Sequence, residues 1–376
     1  MNITYIHNCR MPTEKAHGYQ IVKMCEAFAD NGVVIELIVP KRRNHIKDDV
    51  FTYYHTRNNF TFRYLKFIDF FSWSWLNHKI GFTLNILEFL LLSLSLKIDK
   101  QNIIYTRSPE IAWLFGVRGY KTFYECHQLP EKKSKLFGYF IKKIHGIVTI
   151  TNGLKQDLVA DYTYSADKIS TAPDGVDLET FDIKITRQEA REQLGLPGNK
   201  KIILYTGHLY TWKGVDTLAD ASKNLPVDIL IYTVGGDAQE IDAFYQRNPN
   251  HKTINIPAVT REKVAIWLKA ADLLILPNSA KEKISAKYTS PLKLFEYLAS
   301  GTPIIASDLP SVNEILDQND CAFFTADDAS SLASTILKSL SDELLLNDLT
   351  SKMKKIALQY SWQQRSALIL SKIIKQ

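Results

Sequence analysis

Residues 290–308 read SPLKLFEYLASGTPIIASD, and the fold follows from how that stretch divides. Pro291 to Ser300 are good helix formers, with Leu292, Leu294, Phe295 and Leu298 spread over a broad apolar face and Pro291 suited to a first turn. Gly301 stops the helix, and Pro303 to Ser307 reads as a buried strand. The first turn leaves backbone N–H groups unpaired. Ser290 is placed to cap it, and the free amides together with the helix dipole attract a diphosphate set above them. Glu296, about one and a half turns on, is placed to accept hydrogen bonds from sugar or ribose hydroxyls.

The same alternation runs outward in both directions. In the first half Ile3–His7, Val33–Val39, Ile103–Thr106, Thr122–Tyr124 and Ile147–Thr151 read as strands, with a helix over Tyr19–Asp30. The second half repeats the rhythm with Lys201–Tyr205, Asp228–Val234, Thr253–Ile256, Leu273–Leu276 and Pro303–Ala306. Such βαβ alternation means parallel sheets covered on both faces. Polar residues 182–199, with Pro197 and Gly198 adjacent, read as an inter-domain connection. That divides the chain into 1–181, a linker over 182–199, and 200–359, followed by an amphipathic helix over 360–376.

With 376 residues and 45% hydrophobic content the chain is long enough for two cores. The formal charge of +6 is concentrated in the first half, which suits an anionic partner such as a membrane surface or a phosphorylated acceptor, or an ordinary basic surface. Cys9, Cys25, Cys126 and Cys321 make no metal-ligand spacing and read as free thiols of a reducing cytoplasm. The chain opens with a strand pattern rather than a cleavable signal. No Asp-x-Asp and no His–carboxylate cluster marks a metal site, so neither metal nor cofactor is expected.

Further candidate residues sit at strand ends. In YTGHLYTWKGVD (205–216) Gly207 follows a strand and Lys213 opens the next helix, where an ammonium can face phosphate. Gly235 and Gly236 follow another strand, where paired glycines allow close approach of a backbone. Gly18 stands at the entrance of the first helix, and His127, in FYECHQLP, follows the strand 122–124. Arg107 is placed to grip an anionic acceptor or to make a helix-start salt bridge, the second being preferred. Asp174–Asp177 reads as a structural turn.

The 290–308 run and the 205–216 loop together resemble the retaining glycosyltransferases of family 4. The resemblance implies the GT-B fold: α/β, with two facing Rossmann-like, doubly wound parallel-sheet domains, a cleft between them, and a last helix, 360–376, that completes the first domain by packing through Trp362, Leu368 and Ile369. It further implies that Glu296 holds the donor's ribose, and that Ser290, Pro291 and Leu292 meet the diphosphate through backbone amides. Gly207, His208 and Lys213 would complete the phosphate site, His208 standing where the family has arginine. Gly18 and Gly235 would lie near the donor, the 256–260 loop near the base, and His127 beside the transferred sugar. The family's second glutamate, eight positions before Glu296, is Tyr288 here, with Lys287, Lys293 or Glu282 available to replace it.

The implied function is transfer of a sugar from a nucleotide diphosphate sugar, the donor substrate, to a glycan or lipid-linked acceptor in cell-surface polysaccharide synthesis, without a metal. His127, Lys213 and Glu296 are the residues expected to carry it. The aromatic stretch 60–96, punctuated by Arg63, Lys66 and Lys79, suits an interfacial helix at a membrane surface or a buried helix; it is too short in its apolar part to span a bilayer. No nucleic-acid motif is present. A catalytically silent donor-binding partner is the competing reading, motivated by Tyr288 and His208; a dehydrogenase lacks its GxGxxG turn after the first strand.

Overall fold

The computed structural model describes residues 1–70, 73 and 77–375. The chain forms two compact units, Met1–Pro173 with Trp362–Gln376, and Asp174–Ser361. The first is built on a seven-stranded sheet of order β3-β2-β1-β4-β5-β6-β7 and the second on a six-stranded sheet of order β10-β9-β8-β11-β12-β13. Every pairing is parallel. The strands are β1 Asn2–Ile6, β2 Val34–Pro40, β3 Thr61–Leu65, β4 Ile103–Thr106, β5 Thr122–Cys126, β6 Gly146–Thr149 and β7 Ile169–Thr171. The second sheet comprises β8 Lys201–Thr206, β9 Ile229–Val234, β10 Thr253–Ile256, β11 Leu273–Leu276, β12 Ile304–Ser307 and β13 Ala322–Phe324. The expected alternation is therefore present, with β3, β7 and β13 added to it.

Both sheets reverse their winding beside the first strand of the unit, between β1 and β4 and between β8 and β11. Chains leaving the carboxyl ends of those strands diverge to opposite faces and leave a crevice, the place where doubly wound sheets bind ligands. The central strands are apolar almost throughout, as Ile202–Leu204 and Leu273–Leu276 show, because helices cover both faces.

The unit boundaries differ from the expected division. Residues 174–199 belong to the second unit: Val176 N–H donates to Tyr360 C=O at 2.9 Å, and Val176 and Phe181 sit in that unit's core. The segment read as a linker contains a helix, Arg187–Leu194, which Thr186 and Glu189 close as a capping box. Its Arg191 pairs with buried Asp272 at 2.7 Å. Trp362–Lys375 packs on the helix Ala16–Asp30 of the first unit, with Trp362, Ile369 and Ile373 buried and Leu368 exposed rather than packed. Residues 71, 72 and 74–76 of the aromatic 60–96 stretch lie outside the described residues, as does Gln376. The rest of that stretch holds β3 and a helix, His78–Leu94.

Candidate active site

In the second unit the groups that matter are held by aromatic pillars. Tyr297, on the helix Leu292–Ser300, accepts the Thr206 N–H at 2.8 Å, and Tyr205 OH donates to His208 C=O at 2.6 Å. These two bonds fix the turn Gly207–His208 leaving β8. Gly207 (φ +119) and Gly235 (φ +134) have backbones closed to most residues. Their amides do not face a ligand: Gly207 N–H donates to Val234 C=O and Gly235 N–H to Ile256 C=O. A Cβ on Gly235 would lie 2.5 Å from Gly207 O, so the glycines let two loops close on each other.

Lys213 ends a short 3₁₀ turn, Thr211–Lys213, anchored where Ser279 N–H and Ser285 OH donate to Trp212 C=O. Gly214 presses on Pro277 so closely that a Cβ would lie 1.7 Å from its carbonyl oxygen. The loop after β8 is thereby locked to the loop after β11, across the winding reversal. Lys213 Nζ lies 3.8 Å from the Trp212 ring centroid, and among the described residues it makes no ion pair. Burial lowers its pKa to about 8.

The helix Leu292–Ser300 begins after Pro291, which stands at the cap position with no side-chain hydrogen bond. Ser290 does not cap it, because its Oγ accepts the Asp174 N–H at 2.9 Å. The helix start thus has no side-chain cap, and its Leu294 N–H closes on Pro291 C=O. Lys293, on the first turn, was not among the primary sequence candidates. It is buried, its Nζ lies 3.7 Å from the Tyr205 ring centroid, and among the described residues that Nζ has no hydrogen-bond partner. The side-chain amide of buried Asn278, just after β11, is a second group without one.

Glu296 Oε1 accepts from Arg261 Nη1 at 2.6 Å, so an incoming hydroxyl would share an already oriented carboxylate. His208 does not stand as a phosphate-facing cation. Its Nδ1 contacts Glu240 Oε1 at 2.8 Å and its ring stacks on Tyr210 at 4.9 Å. Tyr288 is buried, with Lys283 Nζ 5.2 Å from its ring centroid.

In the first unit, His7, Arg107 and His127 follow β1, β4 and β5 at the carboxyl edge. They gather around Glu125, a fully buried carboxylate on β5. Glu125 Oε1 accepts from Arg107 Nη2 and Arg365 Nη2, each at 2.9 Å, and meets His127 Nε2 at 2.7 Å; its Oε2 accepts from Tyr105 OH at 2.5 Å. Burial alone would raise the Glu125 pKa, but the two guanidiniums and His127 hold it well below the usual carboxylate range. Burial and the Arg107 charge lower His17 to about 4 and push His7 well down. Arg107 is thus committed to Glu125 and to Gln20, not to a helix start. Gly18 lies within its helix, its N–H donating to Lys15 C=O, and a Cβ there would meet Tyr54 OH at 2.1 Å. Its glycine is explained by packing rather than by approach to phosphate. Among the described residues no three His, Cys, Asp or Glu cluster as metal ligands.

Comparison with known proteins finds a family model, described as glycosyl transferases group 1, matching residues 186–358. A D-inositol 3-phosphate glycosyltransferase of Xylanimonas cellulosilytica is 26% identical over 257 residues, 64% of this chain and 60% of that protein. The UDP-Gal:alpha-D-GlcNAc-diphosphoundecaprenol alpha-1,3-galactosyltransferase of Escherichia coli is 26% identical over 208 residues, 53% of this chain and 52% of that one. The chain thus spans 60% or less of the length of these two relatives. Among solved structures, Anabaena HepE in complex with UDP and glucose shares the fold at TM-score 0.75 over 100% of both chains, at 13% identity. Sucrose-phosphate synthase of Thermosynechococcus elongatus does so at TM-score 0.75 and 16% identity, over 99% and 98%.

Proposed function

The chain carries a group 1 glycosyl transferase domain over residues 186–358 within a GT-B fold, and on that premise we propose that it moves a sugar, with retention at the anomeric carbon, from a nucleotide diphosphate sugar to a glycan or lipid-linked acceptor. The observation that carries this reading is Lys213, which makes no ion pair among the described residues and stands at the winding reversal of the second sheet, where its charge acts on the first turn of the uncapped helix Leu292–Ser300. Breaking the bond from an anomeric carbon to a diphosphate builds negative charge on the leaving phosphate and positive charge on the sugar ring. Lys213 and the helix-start amides meet the first, which removes the need for a metal ion. Glu296, oriented by Arg261, takes the ribose hydroxyls. Retention follows from front-face replacement, the leaving phosphate accepting the acceptor's proton.

His127 addresses the sugar and acceptor, its imidazole set by the bond to Glu125. On the helix His78–Leu94, Ile80, Leu87, Leu91 and Leu94 form an exposed apolar stripe at spacings of seven, four and three residues, with Lys79 at its start and Lys97 beyond its end. Among the described residues no helix is long and apolar enough to cross a membrane. The stripe supports docking on an anionic lipid surface, which would bring the enzyme to a lipid-linked acceptor in cell-surface polysaccharide synthesis. All four cysteines are free and buried, which supports the cytoplasmic side.

A panel of nucleotide sugars, beginning with UDP-sugars because HepE is seen with UDP, tests the reading by thermal stabilisation followed by donor hydrolysis. Glu296→Ala and Lys213→Ala should each weaken the stabilising donor's binding by about tenfold or more. Unchanged affinity in both would overturn the assignment. Tyr288, buried where the family has glutamate, favours the silent-partner reading, and binding without turnover of any donor would establish it.

A further inference from the structure

We propose that Lys293 is a second diphosphate-binding cation beside Lys213, and that nucleotide binding charges it with a proton taken from solvent. The inference rests on the donor-site reading of the second unit and adds to it a residue and a coupling.

Lys293 lies on the first turn of the helix Leu292–Ser300, with its stem folded under the turn leaving β8. A Cβ on Gly207 would sit 3.0 Å from Lys293 Nζ, so the amine lies against the backbone of that turn. Long lysine side chains ordinarily reach for water, and a buried one ordinarily finds a carboxylate. This one does neither: its Nζ faces the Tyr205 ring and has no hydrogen-bond partner among the described residues.

The charged and titratable groups facing it do not settle its charge. From the loop after β8 comes Lys213, which repels it; from its own helix comes Glu296, whose attraction is already shared with Arg261. From β8 comes Tyr205, whose hydroxyl donates to His208 C=O and stays protonated. Burial first, and Lys213 second, hold the Lys293 pKa well below the ordinary lysine value. Two lysine amines, each of which disfavours the other's proton, beside an uncapped helix start make a site complete only when an anion of more than one charge joins it. A nucleoside diphosphate has that chemistry, and its arrival favours the protonated form of Lys293.

Titration calorimetry with UDP, GDP and ADP, above about pH 7.5 where the terminal phosphate is fully ionised, in two buffers of different ionisation enthalpy, measures affinity and proton uptake together. The wild type should take up protons on binding, and its affinity should fall as pH rises. Lys293→Met should bind about tenfold or more weakly and take up fewer protons, with Lys293→Gln as a second neutral replacement. Equal affinity and equal uptake in wild type and variants, with binding intact, would overturn the inference while leaving the donor site standing. A loss seen only with UDP-glucuronate, and not with UDP, would also overturn it, by placing Lys293 against a sugar carboxylate. If the wild type bound none of the three nucleotides, the donor-site reading itself would fall, and this inference with it.

Discussion

Replacing Glu125 by Gln tests the first unit, because it changes charge with almost no change in shape. Glu125 is the shared counterion of Arg107 and Arg365, both nearly excluded from solvent. Breaking a buried ion pair by removing one partner costs about 3–5 kcal/mol. Two guanidiniums lose the same carboxylate here, yet the cost should not double. Arg107 retains Gln20 Oε1 at 3.0 Å, and Arg365 retains Pro173 C=O at 2.8 Å and Ala172 C=O at 3.3 Å. A glutamine oxygen also keeps the Tyr105 hydroxyl bonded. The expected loss is therefore about 3–5 kcal/mol, a large fraction of a domain's usual 5–15 kcal/mol. Two units need not unfold together, so a single melting temperature is the wrong measure. Hydrogen exchange read by peptide separates them: amides of β4, β5 and Trp362–Lys375 should exchange roughly a hundredfold to several thousandfold faster, while β8 and β11 hold. The sign with pH is fixed by the lowered Glu125 value. Its stabilisation is present above the ordinary carboxylate range and is lost only as pH falls through the lower folded value, so the gap between wild type and variant should close only in strong acid. A change of less than about tenfold at neutral pH, where each decade is about 1.4 kcal/mol, or an equal loss in β8 and β11, would refute the reasoning.

Gly214→Ala should destabilise the second unit by at least about 2 kcal/mol, since it combines a left-handed backbone with collision against Pro277. Gly195→Ala is the control, with φ +66 but open space around the added methyl, and should cost about 1–2 kcal/mol from backbone strain alone; equal losses in urea titrations would remove the claim that the loops after β8 and β11 are locked. Leu87→Ser with Leu91→Ser should abolish co-sedimentation with vesicles containing anionic lipid while leaving donor hydrolysis unchanged. Binding that persists in that double variant would rule out the apolar stripe as the docking face.

How much of this could be read from sequence depended on how local the cause was. Strands buried on both faces, such as Ile202–Leu204 and Leu273–Leu276, announce themselves as apolar runs. Thr61–Leu65 did not, because TFRYL alternates and stands inside an aromatic stretch that suggested an interface. Strands β7 and β13 have three residues each, too few to show a period. The places of Lys213 in the loop after β8 and of Glu296 on its helix were legible because each follows from position along one loop or one helix. Lys293 was visible only as one of several polar alternatives, since what makes it unusual is burial on Tyr205, which lies far away in the chain. Glu125 was hidden inside the strand TFYEC, and its partner Arg365 comes 240 residues later. Ser290 and Gly18 had the residue types their expected tasks require. Both proved to be used by a neighbour instead, Ser290 by Asp174 N–H and Gly18 by the Tyr54 ring.

The two units treat buried charge in opposite ways, and the difference bears on how they work. Around Glu125 two guanidiniums, an imidazole and a phenol converge on one carboxylate, so each buried guanidinium has a counterion within the fold and His127 is held in one orientation before any substrate arrives. Around Lys293 the balance is left open: two lysine amines, an uncapped helix start and the side-chain amide of Asn278, without a hydrogen-bond partner among the described residues, lie near the crevice of the second sheet, and the carboxylate that attracts Lys293, Glu296, is already shared with Arg261. A fold optimised for its own stability would neutralise such a site, as neutral residues of similar volume do in buried ion pairs. That this one does not is intelligible if the missing charge arrives with the substrate. Binding a diphosphate then supplies the negative charge that lets Lys293 hold its proton, so affinity is linked to proton uptake and not to new contacts alone.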